Sequence, residues 1–204
     1  MGKSFGEAEL NTQLFADSNA WAGGYYELKI WLGDPSDERI REAMASLWES
    51  PMLEGPFDRD DKTSLRRVPS VGDHLSGLAR IRGESLPLST FVVREEDLDG
   101  KRTADFLFVG LPLGGLGTIY PVGAYPFADL EAAPVWQPEI DAWFLQLLRS
   151  LQRPFTFQLA VIGFEVPADP RELACDAAPG EDFYGIVRPQ QDGLQWNPPA
   201  SYES

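Results

Sequence analysis

The chain of 204 residues carries 17 lysines and arginines against 32 aspartates and glutamates, a formal charge of -15. That balance repels a phosphate backbone and an anionic membrane surface, so nucleic acid and membrane are excluded as partners while a basic protein is admitted. With 43% hydrophobic and 12% aromatic residues the chain reads as globular, and its length suffices for a core in a single domain spanning 1–204.

Residues 1–24 mix Gly, Asn, Ser and Ala with isolated Leu14, Phe15 and Trp21, which predicts an irregular arm. Tyr25 to Leu32 alternates, with Tyr26, Leu28, Ile30 and Leu32 on one face and Tyr25, Glu27, Lys29 and Trp31 on the other, as a half-buried strand does. After Gly33, Asp34 is a good N-cap with Pro35 at the first helical position. A helix over 35–49 follows, with Ile40, Ala43, Met44, Leu47 and Trp48 on its apolar face and Pro51 at its end. Residues 51–77 read as a long Gly- and Pro-containing connection that holds the charged run Asp58-Arg59-Asp60-Asp61-Lys62.

Leu78 to Arg82 is strand-like and pairs through a turn at Gly83 with a run at Leu88 to Arg94, Pro87 implying an edge or a bend. The Asp99-Gly100 dipeptide between two apolar runs predicts a hairpin. Its returning strand, Asp105 to Leu111, is apolar almost without alternation, as a central strand buried on both faces would be. A Gly- and Pro-rich crossing over 113–138 leads to a helix at 138–152, where Ile140, Trp143, Phe144, Leu147, Leu148 and Leu151 fall on one face. Phe155 to Val166 is the next strand; its apolar phase flips at Gly163, which predicts a bulge or a close backbone approach. Beyond it lies an acidic, Pro-rich extension over 167–204, with a small hairpin pairing Phe183 to Val187 with Leu194 to Trp196 across Asp192-Gly193.

The expected fold is therefore α+β: an antiparallel sheet in the ferredoxin-like split β-α-β order (β-α-β-β-α-β), with two helices on one face, long loops and a C-terminal hairpin.

Chemistry has little to work with. The lone Cys175 closes no intramolecular disulfide, the only histidine is His74, and no zinc spacing exists, so no metal and no cofactor are expected. No apolar run approaches the roughly 20 residues of a membrane span, and the opening Met1 to Gly6 lacks the order of a secretion signal, so the expected location is cytoplasmic. Glu95, Asp97 and Asp99 before Gly100 imitate the first half of a calcium loop, but Phe106 stands where the bidentate glutamate belongs, and a hairpin tip explains the glycine. The Gly-rich run from Leu111 to Gly117 follows a strand without the lysine of a P-loop; its Gly114 and Gly115, with His74, Tyr120 and Tyr125, are an alternative pocket for a small ligand.

The segment Gly24-Tyr25-Tyr26-Glu27-Leu28-Lys29-Ile30-Trp31-Leu32-Gly33, a helix, and then Pro56-Phe57 resembles the opening of bacterial immunity proteins that neutralise polymorphic toxins. The resemblance implies a cytoplasmic, non-catalytic protein that blocks a toxin domain. The first functional expectation is thus a non-enzymatic acidic binding protein whose partner surface uses Asp58, Asp60, Asp61, Glu95, Glu96, Asp97 and Asp99. The alternative is a ligand-binding or enzymatic domain with its pocket near 111–125, and a third reading is a homodimer through an exposed sheet.

Overall fold

A computed structural model of the chain describes residues 15–57, 72, 74–122, 135–151, 156–166 and 184–199. The elements are β1 (Tyr25–Gly33), α1 (Asp37–Glu49), β2 (Leu53–Phe57), β3 (Leu75–Ile81), β4 (Glu84–Glu96), β5 (Arg102–Pro112), the short α2 (Leu113–Leu116), α3 (Gln137–Leu151), β6 (Leu159–Phe164), β7 (Gly185–Gln190) and β8 (Gly193–Asn197), preceded by a 3-10 turn at Ser18–Trp21. All eight strands form one antiparallel sheet in the order β2-β3-β4-β5-β1-β6-β7-β8. From β1 the chain crosses through α1 to the far edge at β2, then walks back strand by strand to β5, and α3 carries it past β1 to β6. The α+β class and the antiparallel sheet are as the sequence predicts. The chain has more elements than the expected six, with β2 and β3 standing between α1 and β4 and with β7 and β8 after β6.

Alternation along β1 decides which face is covered. Tyr26, Leu28, Ile30 and Leu32 join Ile40, Ala43, Met44 and Leu47 of α1 and Ile140, Trp143, Phe144, Leu147, Leu148 and Leu151 of α3 in one buried cluster. Both long helices therefore lie on the Tyr26 face, side by side, with Ser50 Oγ and Ser150 Oγ 3.5 Å apart at their C-terminal ends. Polar pins fix α3 on this face: Tyr26 Oη donates to Asp141 Oδ1 at 2.6 Å, and Trp143 Nε1 donates to the Arg80 carbonyl at 2.9 Å. The β3–β4 turn is made by Arg82 and Gly83, at φ 55° and 82°, the two positive φ values that a tight hairpin of matching twist requires.

Several local expectations shift. The N-cap of α1 is Ser36, not Asp34: the Ser36 N–H is taken by Asp105 Oδ2 of β5 at 2.7 Å, so the chain stays extended through Pro35, and Ser36 Oγ then accepts from Arg39 N at 3.3 Å. Gly163 makes no bulge; its pairing opposite Glu27 lies inside an unbroken β1–β6 register, and the strand is buried on both faces instead of changing phase. The irregularity falls on β1, between Trp31 and Gly33 against β5. Pro87 sits inside β4, but the β4–β5 ladder begins only at Ser89–Gly110, so the missing N–H falls where that side of the strand has no ladder bond to lose. The 51–77 connection contains β2, and the C-terminal hairpin is no appendage, since β7 pairs with β6.

Truncation of Trp143, 7% exposed and hydrogen-bonded to β3, tests this packing. Trp143→Ala is expected to lower the free energy of urea unfolding by about 3–5 kcal/mol. A loss under about 0.5 kcal/mol would mark a surface position.

Candidate functional site

The face that α1 and α3 leave uncovered is built by the other half of the same alternation. Tyr25, Glu27, Lys29 and Trp31 of β1 point to it, opposite Pro112, Gly110, Phe108 and Phe106 on β5 and, for the last three, Gly163, Val161 and Leu159 on β6. One end of this face is closed by the N-terminal segment, where Phe15 meets the rings of Trp21 and Phe57 at 5.6 and 5.5 Å. In its middle, cross-strand neighbours stack like books on a shelf: His74 on Phe91 at 4.6 Å and Phe91 on Phe108 at 4.5 Å, nearly parallel. Lys29 completes the row, its Nζ 4.9 Å from the Phe106 ring centre and 5.0 Å from that of Phe108. Its stem is buried along the rings, which suits a long side chain with a charged head. Leu159, Val161, Val166 and Ile186, with Trp31 and Tyr184 packed on them, fill the other end.

Glu27 is the one strongly perturbed acid in this row. Burial pushes its carboxyl up to about 7, opposed by a hydrogen bond from the Val166 backbone and by the Lys29 charge, and reinforced by the Glu165 charge. Its two cross-strand neighbours are both glycine, Gly110 and Gly163, and the Tyr25 ring occupies the space over Gly110, where an added Cβ would lie 2.9 Å from Cδ1. A carboxyl that changes charge near neutral pH beside a lysine is chemically capable of proton exchange with a ligand.

The predicted partner residues fall in two groups. Asp58, Asp60 and Asp61 lie outside the described residues. Glu95, Glu96, Asp97 and Asp99 end β4 and form the tip of its hairpin with β5. The tip is internally bonded: Asp97 Oδ1 accepts from Asp99 N at 3.0 Å and Lys101 N at 2.8 Å, and Asp97 N donates to the Lys101 carbonyl at 2.8 Å. The aspartate that a calcium loop would need is thus occupied in organising a turn. Glu96, Asp97 and Asp99 are exposed, and between the two aspartates Leu98 is 107% exposed.

Among the described residues, those of the alternative pocket are not brought together. The N–H groups of Leu113 and Gly114 donate to the carbonyls of Gly24 and Ala22, so they are not free to cradle a phosphate. A Cβ at Gly114 would run into the Asn19 carbonyl, and one at Gly115 would lie 2.7 Å from Pro87 Cγ, so these glycines serve close packing. Tyr120 is buried under Arg82, whose guanidinium is 4.8 Å from the ring centre, and burial first, then Glu139, pushes its hydroxyl up to about 12. Arg82 and His74 bracket the two ends of β3, a separation of roughly 25 Å at about 3.3 Å per residue. His74 and Tyr120 therefore belong to different places, and Tyr125 and Cys175 lie outside the described residues. Among the described residues no three His, Cys, Asp or Glu side chains are grouped to hold a metal ion.

Sequence reasoning put Glu27 and Lys29 on the outward face of β1 without giving them a role. The available signal was two opposite charges alternating with aromatics in a strand that ends up central. No family model, curated protein or solved structure matches the chain.

Glu27 yields a pH prediction. The folded-state value near 7 lies above the ordinary 4.5, so between these values the folded protein keeps a proton that the unfolded chain releases. Stability contributed by the neutral carboxyl is complete below the ordinary value and is lost as pH rises to 7, by on the order of 3 kcal/mol at most. Glu27→Gln should remove that decline: relative to the wild type, the variant gains stability between pH ~4.5 and ~8 in urea unfolding. Parallel pH curves for the two proteins would contradict the assignment.

Proposed function

We propose that the protein is a non-catalytic, acidic binding protein that engages a basic protein partner. The class suggested by its opening strand, turn and helix is the immunity proteins that neutralise toxin domains, acting in the cytoplasm. The observation that carries this reading is the β4–β5 hairpin tip, a rigid turn that holds Glu96, Asp97 and Asp99 in solvent around a fully exposed Leu98. The tip also carries exposed Lys101 and Arg102, the latter 3.9 Å from Glu96, so its charge is mixed with an acidic excess; that excess around an apolar tip favours a basic partner that offers an apolar recess, because complementary charge raises encounter rates and the buried apolar anchor slows escape. The overall charge of -15 supports the same choice. We further read the inner strands β4-β5-β1-β6 with α1 and α3 as an elaborated ferredoxin-like split in one domain, extended by β2 and β3 on one side and by β7 and β8 on the other.

A small-ligand role has its support at a different place from the glycine-rich loop, namely Glu27 with its titration near 7 beside Lys29.

The test is co-expression with each toxin domain encoded next to the gene, scored by survival, followed by association kinetics with the domain that is neutralised. Changing Glu96 and Asp99 to Lys, which spares the turn-forming Asp97, is expected to slow association severalfold at low salt and to matter less as salt screens the charges. Dissociation should change less. No protection by any such pairing, or association indifferent to both salt and charge, would count against the reading.

A further inference from the structure

Beyond the last paired residues of β1 and β6, Tyr26 and Phe164, one more backbone bond joins the Glu165 N–H to the Tyr25 carbonyl at 2.9 Å, and there the chain turns. Glu165 sits at φ 39°; the other non-glycine residue at positive φ among the described residues is Arg82, in a hairpin turn. An L-residue adopts that conformation at a cost, so its surroundings have to hold it there. They do so from both sides. Gly24 lies so close that an added Cβ would stand 2.5 Å from Glu165 Oε1 and 2.5 Å from Phe164 Cζ. The next residue, Val166, is buried in the small cluster it shares with Leu159, Val161 and Ile186.

The third hold on this corner is Glu27, whose carboxyl accepts the Val166 N–H. Among the described residues, the titratable groups that share its face of the sheet are Tyr25 and Lys29, two positions to either side on β1, and Glu165 on β6. On β5 it is opposed by Gly110 between Phe108 and Pro112, which carry no charge. Two influences favour the carboxylate, the Val166 N–H and the Lys29 ammonium. Burial and the Glu165 charge favour the acid, and they prevail, since the group keeps its proton up to about 7.

We propose that Glu27 is a proton-operated latch on the corner at the end of β6. With its proton the carboxyl fits the closed corner, in which Glu165 keeps its costly conformation and Val166 is buried. Without the proton the corner opens more often: Glu165 relaxes, Val166 leaves its cluster, and the carboxylate gains water. The Glu165 charge acts in the same direction, because opening separates two carboxylates. In the open corner the carboxyl returns to its ordinary value of 4.5, so opening grows by about tenfold per pH unit from there to 7 and then levels off, both forms being ionised. The latch needs no partner and goes beyond the binding role proposed for the hairpin tip.

The test is amide hydrogen exchange of the full chain by NMR from pH ~4.5 to ~8, corrected for the intrinsic pH dependence of exchange and read at Glu165 and Val166 against the amides of α3. Protection at the corner should lie below that of α3 and ignore low urea, as an opening that exposes little surface does. It should fall by about tenfold per pH unit up to pH ~7 and stay level above. Glu27→Gln, which cannot ionise, should make it independent of pH. Glu165→Gln removes the like charge, so it should lower the carbon-13 titration midpoint of the Glu27 carboxyl and shrink the fall. Corner amides that match α3 in protection and urea dependence would overturn the latch, because Glu27 would then reach water only on global unfolding. So would wild-type corner protection that is the same at every pH, or a Glu27 midpoint at the ordinary value.

Discussion

A buried carboxylate on the central hairpin ties the two halves of the chain together. Asp105, 1% exposed at its side chain, accepts from Arg94 Nε at 2.6 Å and Nη2 at 2.9 Å on the neighbouring strand, and from the Ser36 backbone at 2.7 Å where α1 begins. Arg94 reaches on to Asp37 at 2.6 Å in the first turn of α1. A charge buried this deeply costs several kcal/mol unless it is paired and its lone pairs are used, and here a two-pronged guanidinium and a backbone N–H do both. Asp105 first, and Asp37 after it, raise the pKa of Arg94, so the guanidinium stays charged. The consequence is geometric: the β4–β5 hairpin cannot shift along β1 without breaking the cap of α1.

Given that lock, the covered face follows. α1 is fixed at its start by Ser36 and at its end lies beside α3, whose own position is set by Tyr26 and Asp141 and by Trp143 and the Arg80 carbonyl. Both helices then bury the same side of β1. The opposite face carries the row of stacked rings with Lys29 and Glu27, and the end of the β4–β5 hairpin projects beyond it. The lock sits at the base of that projection, so the element proposed to meet a partner is the one most firmly tied to the core.

Much of the covered side was legible because it is written in local periodicity. The alternation of Tyr26 to Leu32, the helical spacing of Ile140 to Leu151, and the glycine turns at Gly83, Gly100 and Gly193 each specify their element within a short window. β2 was illegible because Leu53-Glu54-Gly55-Pro56-Phe57 has turn composition, and only pairing with β3 makes it a strand. The cap of α1 moved for a reason no local window contains, since the residue that takes the Ser36 N–H is Asp105. Of the candidate site, the acidic tip was visible as charge beside a turn dipeptide, whereas the perturbation of Glu27 arises from register between distant segments. The glycine-rich loop looked like a pocket because its composition does not reveal that the chain at 19–24 packs into it.

The measurement that bears most directly on this account is a double-mutant cycle between Arg94 and Asp105, using Arg94→Met, Asp105→Asn and the pair, with unfolding free energies from urea titration. If the ion pair locks the hairpin to the start of α1, each single change is strongly destabilising, because it leaves a buried partner unmatched, and the pair recovers about 2 kcal/mol or more of the summed loss. Additive losses within about 0.5 kcal/mol would show that the two residues act independently and that the fold does not depend on their bond.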